Sequence, residues 1–155
     1  IALERGRALV VALNKCDLLD AKARKTVERT TREVLAFASW APLCHISART
    51  GKGLGPLLKT LVAATESHDK RVTTAELNRC FDEVLEHHPP PTQSGRAVRF
   101  YYATQVTTRP PTFMISANHP ELVHFSYTRY LQNQIRDRFG FTGTPIRIHY
   151  KRHRK

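Results

Sequence analysis

The sequence predicts an α/β arrangement in its first half and an α+β arrangement, ordered α-β-β-α-β, in its second. Three observations carry this. Residues 7–13 (RALVVAL) form a continuous apolar run of strand length, as expected of a parallel strand covered on both faces. Strand-length and helix-period segments then alternate up to Ala64, the pattern of an α/β layer. Beyond Pro89, Pro90 and Pro91 the apolar period changes to two.

After the first strand, residues 20–37 read as a helix carrying Ala23, Val27, Val34 and Leu35 among Thr, Arg and Glu. Residues 42–47 (PLCHIS) are a second short strand. Residues 53–64 are a helix with Leu54, Leu57, Leu58 and Leu61 at helical spacing. Two strands are too few for a doubly wound sheet, so this half is expected to be a truncated domain. The polar stretch 65–72 (TESHDKRV) marks a boundary, placing one domain at 1–69 and another at 70–155. Thr73 and Glu76 then have capping-box spacing, and Leu77, Cys80, Phe81, Val84 and Leu85 share a helix face until the prolines stop it.

Val98, Phe100 and Tyr102 alternate with Arg99, Tyr101 and Ala103 as in a half-buried strand. Pro110 and Pro111 turn the chain into a strand at 112–116. Residues 125–139 form an amphipathic helix on Tyr127, Tyr130, Leu131, Ile135 and Phe139, and Gly140 stands where a helix-terminating glycine belongs. The last strand, 145–150, turns Ile146, Ile148 and Tyr150 one way and Arg147, His149 and Lys151 the other. Phe100, Tyr102, Phe113, Phe125 and Phe139 sit at core periods and are expected to be core.

Composition narrows the function. The 155 residues hold 25 Lys plus Arg against 13 Asp plus Glu, a net charge of +12, with 41% hydrophobic residues. That balance excludes a disordered or fibrous chain and points to a polyanionic partner, nucleic acid. No stretch approaches the roughly 20 apolar residues of a spanning helix, and the first eleven residues lack a signal-peptide cleavage pattern. A cytoplasmic location without membrane association is expected. Cys16, Cys44 and Cys80 fit no redox pair or zinc spacing and read as reduced thiols; the eight histidines show no metal-ligand spacing, so no metal site is expected. The first residue is not Met, so the chain is expected to be a piece of a longer protein.

Chemistry concentrates at two strand ends. Asn14-Lys15-Cys16-Asp17 (NKCD) follows the first strand and Ser47-Ala48 follows the second, the position at which open α/β sheets bind ligands. A polar turn capping a helix is the plain alternative for the tetrapeptide. Together they suit a guanine base. A carboxylate at Asp17 accepts from the guanine N1–H and exocyclic amine, donors adenine lacks, so adenine would strand a partly buried carboxylate at about 1–3 kcal/mol. The Lys15 stem can lie along the base, Asn14 can tie the loops or reach the Hoogsteen edge, and Ala48 is small enough to aim its backbone N–H at the guanine O6.

NKCD and SA with a helix between them resemble the last two guanine-nucleotide motifs of Ras-like, Era-type GTPases. The second half carries PPP at 89–91, YYATQ at 101–105, TRPPTF at 108–113, NHP at 118–120, SYTRYL at 126–131 and GTPIR at 143–147. Together these are similar to the C-terminal KH-like domain of the Der (EngA) family, bacterial proteins with two tandem GTPase domains. The resemblance implies the C-terminal part of a Ras-like P-loop GTPase domain followed by an α+β KH-like domain. It also implies a monomeric GTPase that binds GTP and GDP and acts in large ribosomal subunit assembly. Partners would be the large subunit, its ribosomal RNA and the upstream GTPase domains of the same chain. Asn14, Lys15, Asp17, Ser47 and Ala48 would read the nucleotide. A non-enzymatic RNA- or protein-binding module with a structural first half is the alternative.

Other parts of a GTPase site are missing from these residues. Gly51-Lys52 is the only GK pair and lacks the GxxxxGK[ST] context, so phosphates and Mg2+ would be held by parts outside this chain. Asp137-Arg138-Phe139-Gly140 matches DxxG but lies downstream of NKCD, in the wrong order. No catalytic residue is expected here, and the segment alone should be inactive. Gly140-Phe141-Thr142-Gly143 joins a helix to a strand, whereas an RNA-clamping GxxG joins two helices, so a helix stop plus a turn is expected. RNA contact is expected instead from Arg147, His149, Lys151, Arg152, Arg154 and Lys155.

Overall fold

The computed structural model describes residues 1–90, 92 and 95–153. The chain divides into two compact units, Ile1–His68 with Thr142–Pro145, and Asp69–Phe141 with the chain from Ile146. Each is built separately below.

In the first unit, β1 (Val11–Leu13) pairs in parallel with β2 (Leu43–His45), with Val11 opposite Leu43 and Leu13 opposite His45. The strands are three residues each, shorter than the seven- and six-residue runs the sequence suggests. Ladder-like bonding continues past their ends, since Val11 N–H donates to the Pro42 carbonyl and Ile46 N–H to that of Leu13, both at 2.9 Å. Helix α1 (Ala21–Val34) connects them. Its first turn is capped by Asp20, whose carboxylate accepts from Ala23 N–H at 2.7 Å.

Helix α2 (Leu54–Asp69) begins after a Gly-rich turn. It runs five residues past the expected stop at Ala64, through the polar segment read as a boundary, because no Gly or Pro interrupts it and Ala64 and Ser67 supply a buried stripe. Gly143 packs here. Its carbonyl accepts from Leu9 N–H at 2.7 Å, and a Cβ added to it would lie 2.7 Å from the Ala64 Cβ. The positive φ of 67° compounds that, so only glycine fits.

This unit buries little. Helix α1 has no buried residue, and Val34, Leu54, Leu58, Leu61 and Val62 are exposed, as is Phe37 on the short 3-10 turn Ala36–Ala38. The leucines at helical spacing on α2 are left largely uncovered, because two three-residue strands offer too small a surface to cover them.

The second unit is better packed. Helix α3 (Thr74–His87) starts with the predicted capping box, Thr73 accepting from Glu76 N–H while the Glu76 carboxylate accepts from Thr73. A three-stranded sheet follows, with β3 (Phe100–Thr107), β4 (Thr112–Ala117) and β5 (Arg147–Arg152) in that spatial order. Strand β4 is central, antiparallel to β3 and parallel to β5. Helix α4 (Phe125–Phe139) supplies the crossover and ends at Gly140 with φ 68°. The helix–sheet core gathers Leu77, Phe81, Ala103, Phe113, Ile115, Leu131 and Ile135.

Two aromatics expected in this core lie outside it. Tyr102 is 40% exposed because the register shifts between Phe100 and Tyr102, handing the inward position to Ala103. Phe125 is 70% exposed at the first position of α4, its ring beside His124. Phe100 and Phe139 pack at the core's edge, and Phe113 is fully buried. Pro91 belongs to the helix stop expected at 89–91 and lies outside the described residues.

Side-chain amides complete the backbone bonding where no strand does. Asn78 on α3 donates to the Ala103 carbonyl at 2.9 Å and accepts from Ala103 N–H at 2.8 Å. Gln105 accepts from Val72 N–H at 2.7 Å and donates to the Lys70 carbonyl at 2.9 Å. Replacing Asn78 with Leu leaves both Ala103 groups unpaired, so urea denaturation should show a loss of about 1–3 kcal/mol or more. Thr74→Ala, on the exposed start of the same helix, should cost under about 0.5 kcal/mol.

Candidate functional site

The first candidate site sits where β1 and β2 end. Asn14 leaves β1 and its Oδ1 accepts two backbone N–H bonds, from Lys15 at 2.8 Å and from Ala48 at 3.0 Å. One amide oxygen thus joins the loop after β1 to the loop after β2, 34 residues away. Lys15 adopts the left-handed conformation at φ 63°, which a side chain occupies at a cost and which aims Cys16 back into the fold. Cys16 is buried, and its N–H donates to the Ile46 carbonyl at 2.9 Å.

Asp17 follows on the 3-10 turn Cys16–Leu18. The Arg49 guanidinium reaches it at 2.7 Å. Ser47 is fully buried and hydrogen-bonds the same carboxylate. The Ser47 bond first and Arg49 second hold the Asp17 carboxyl down at about 2, against an ordinary 3.8. Asp17 is therefore a charged acceptor at any physiological pH. Gly53 shapes the second loop: with φ 78°, any side chain there would collide with the His45 carbonyl oxygen.

Asn14, Lys15, Asp17, Ser47 and Ala48 are brought to one place: Asn14 ties the loops, one of the two roles the sequence offers it, while the donor it uses and the Arg49 contact are not given by sequence reading. The Ala48 N–H donates to Asn14 rather than pointing free, and Arg49 covers Asp17. Arg49 lies 32 residues from Asp17, and no local spacing announces the pair.

The second candidate site is on the sheet of the second unit. Arg147, His149 and Lys151 alternate along β5, opposite Thr112, Met114 and Ser116 of β4. The Lys151 ammonium stands 4.9 Å from the Tyr102 ring centroid. Arg152 was expected to continue this basic row. It instead pairs with Glu121, both carboxylate oxygens lying 3.1 Å from its Nη2, because strand alternation sends it away from Lys151. Arg154 and Lys155 lie outside the described residues. Glycines 140 and 143 end α4 and turn into β5, as the helix-to-strand reading requires. Tyr101 and Tyr102, read as strand and core positions, are exposed beside these cations. The YY pair is a visible signal, but its meaning depends on the register shift.

Among the described residues there is no group of three His, Cys, Asp or Glu side chains able to hold a metal ion, and no helix is long and apolar enough to cross a membrane.

The acid range tests the first site. Because the folded carboxyl titrates lower than the unfolded one, its contribution to stability is full above about pH 4 and is lost as pH falls toward 2. In an NMR carboxyl titration, Ser47→Ala and Arg49→Ala should each raise the Asp17 pKa toward its ordinary value, since both side chains hold it down.

Residues 71–151 match the family described as KH-domain-like of EngA bacterial GTPase enzymes, C-terminal. Among relatives, the chain is 44% identical to GTPase Der of Thermomicrobium roseum over 153 residues, covering 96% of this chain and 33% of that protein. It is 45% identical to GTPase Der of Caldanaerobacter subterraneus subsp. tengcongensis, covering 97% and 35%, and 45% identical to that of Staphylococcus carnosus, covering 95% and 34%. The chain spans about a third of the length of these curated relatives. With its α-β-β-α-β second unit and a family match across more than half its length, the chain belongs to the Der (EngA) GTPase family.

Proposed function

We propose that this chain is the rear third of a GTP-binding ribosome-assembly GTPase, reading the guanine base with its first unit and the large ribosomal subunit with its second. The observation that carries the base-reading half is the charged Asp17 carboxylate, held in place by Ser47 at the end of β1 and already occupied by a guanidinium.

That guanidinium is a stand-in for the base. Guanine offers N1–H and an exocyclic amine across one carbon, the same N–C–N donor array that Arg49 carries. Arg49 is 77% exposed, so its guanidinium can swing out into solvent when a base arrives. Asn14 keeps both loops in register around the base, and the Lys15 stem covers one face. Ala48 N–H, now donating to Asn14, is the backbone donor nearest in role to a guanine O6 contact. GTP supplies the phosphoanhydride whose hydrolysis would drive a switch. The phosphates and Mg2+ would be held by the upstream parts of a complete GTPase domain, since no GxxxxGK[ST] stands in these 155 residues.

The exposed apolar side chains of α1, α2 and Phe37 support the same reading, because a two-stranded layer that shows Leu58 and Val62 to solvent is the surface of a larger domain. Support for the ribosomal partner is the basic edge of the second unit, where Arg147, His149 and Lys151 share one strand.

Base reading is tested in a full-length protein carrying this segment. Asp17→Asn should move nucleotide preference from GTP toward xanthosine triphosphate by an order of magnitude or more, because the amide donates to the 2-oxo group. Competition binding that leaves GTP preferred as strongly as in the parent would remove Asp17 from the site.

A further inference from the structure

Strand β4 separates two faces of the second unit's sheet. Phe113, Ile115 and Ala117 face the helices and are fully buried. On the other face, residues 102, 116 and 151 lie side by side across β3, β4 and β5, followed by 104, 114 and 149. Nothing in β3, β4 or β5 is acidic.

Aromatic surface is concentrated on this face, around a Ser116 that is itself buried. Tyr101 is 50% exposed and stacks on His153, with centroids 4.0 Å apart and planes 18° from parallel. His153 is anchored by Ser116, whose Oγ lies 3.1 Å from Nδ1. Beside this stack is a cleft of about 440 Å³ lined by Tyr102, Ser116, Lys151, Arg152 and His153. That volume is within the roughly 300–1,000 Å³ of small-molecule sites.

We infer that this cleft binds an unpaired nucleotide of an RNA strand, its base stacked on Tyr102 and its phosphate on Lys151. The inference rests on the reading above only in taking RNA as the polyanion. Charge selects a polyanion, because Lys151 and Arg152 line the cleft, no acidic residue stands on the three strands, and among the described residues the one carboxylate met is Glu121 on Arg152. Exposed aromatic rings standing on a sheet select an unpaired base, whose π-face is available, whereas a duplex hides its base faces inside the stack. Lys151 already rests over the Tyr102 ring, so the approach of a base moves its ammonium outward, toward the phosphate attached to that base. His149 lies two residues along β5, close to the spacing of consecutive phosphates on an extended strand. The site is independent of the GFTG turn and of the helical side of the unit.

The test is fluorescence anisotropy with a short fluorescein-labelled single-stranded RNA, and the same strand annealed to its complement, titrated over a salt series with the 155-residue chain. The parent should prefer the single strand. Tyr102→Leu should weaken single-strand binding roughly tenfold or more with the salt slope unchanged, and Tyr102→Phe should restore it, since stacking needs only the ring. Tyr101→Leu, which removes the ring against which His153 of the cleft wall stacks, should also weaken single-strand binding and serves should Tyr102→Leu disturb the fold. Lys151→Gln should lower the log–log salt slope by about 0.7. Should both tyrosine variants bind as the parent does while Lys151→Gln flattens the slope, stacking is excluded and the basic-surface reading survives. Equal affinity for the duplex also excludes it. Absence of binding to either probe, or variants without effect on affinity or slope, would remove both readings.

Discussion

The alternation of β4 is the constraint on which the second unit depends. It is paired on both edges, antiparallel to β3 and parallel to β5, so its register fixes that of its neighbours. Phe113, Ile115 and Ala117 are buried against the helices, and a slip of one residue would exchange them for Thr112, Met114 and Ser116. Burial of three apolar side chains at about 1.5–3 kcal/mol for the larger ones makes that slip prohibitive. Everything on the open face follows from it, including the row that sets Tyr102 beside Ser116 and Lys151.

A three-stranded sheet leaves two edges, and here amides manage one of them. Asn78 reaches from α3 to both backbone groups of Ala103, and Gln105 binds Val72 and Lys70 in the same two-handed way. Each amide imitates a strand neighbour, giving one donor and one acceptor to backbone that would otherwise be stranded in a half-dry environment. Asn118 repeats the device at the other end of β3, accepting from Arg99 N–H and donating to the Ala97 carbonyl.

Much of this was legible in the residues because the signals are local. The capping box of α3, the buried face of α4 and the alternation of β5 all depend on neighbours within a few positions, and the structure reproduces them. The NKCD and SA loops were legible because a strand end is a local event too. What escaped was set by distance or by irregularity. A period of two places Tyr102 in the core, and one register shift beside Tyr101 moves it out. A leucine stripe on α2 announces an apolar face without naming what covers it. Arg49 on Asp17 and Glu121 on Arg152 join residues 32 and 31 apart, with no sequence pattern to pair them.

The Arg49 contact changes how base selection works on the reading proposed above. Were Asp17 unpaired at rest, any base entering the site would meet a desolvated carboxylate and discrimination would rest on the bound state alone. With Arg49 in place, one carboxylate oxygen already has a donor, and entry must at least replace it. Guanine brings two donors and completes the exchange, whereas adenine brings none at that edge and leaves a carboxylate that Ser47 and the fold hold ionised. The Asp17 pKa, held low first by Ser47, matters for the same reason: a carboxyl that titrated near neutrality could escape the mismatch by taking up a proton. Selectivity then comes from a carboxylate that must stay charged, and phosphate affinity is left to other parts of the protein.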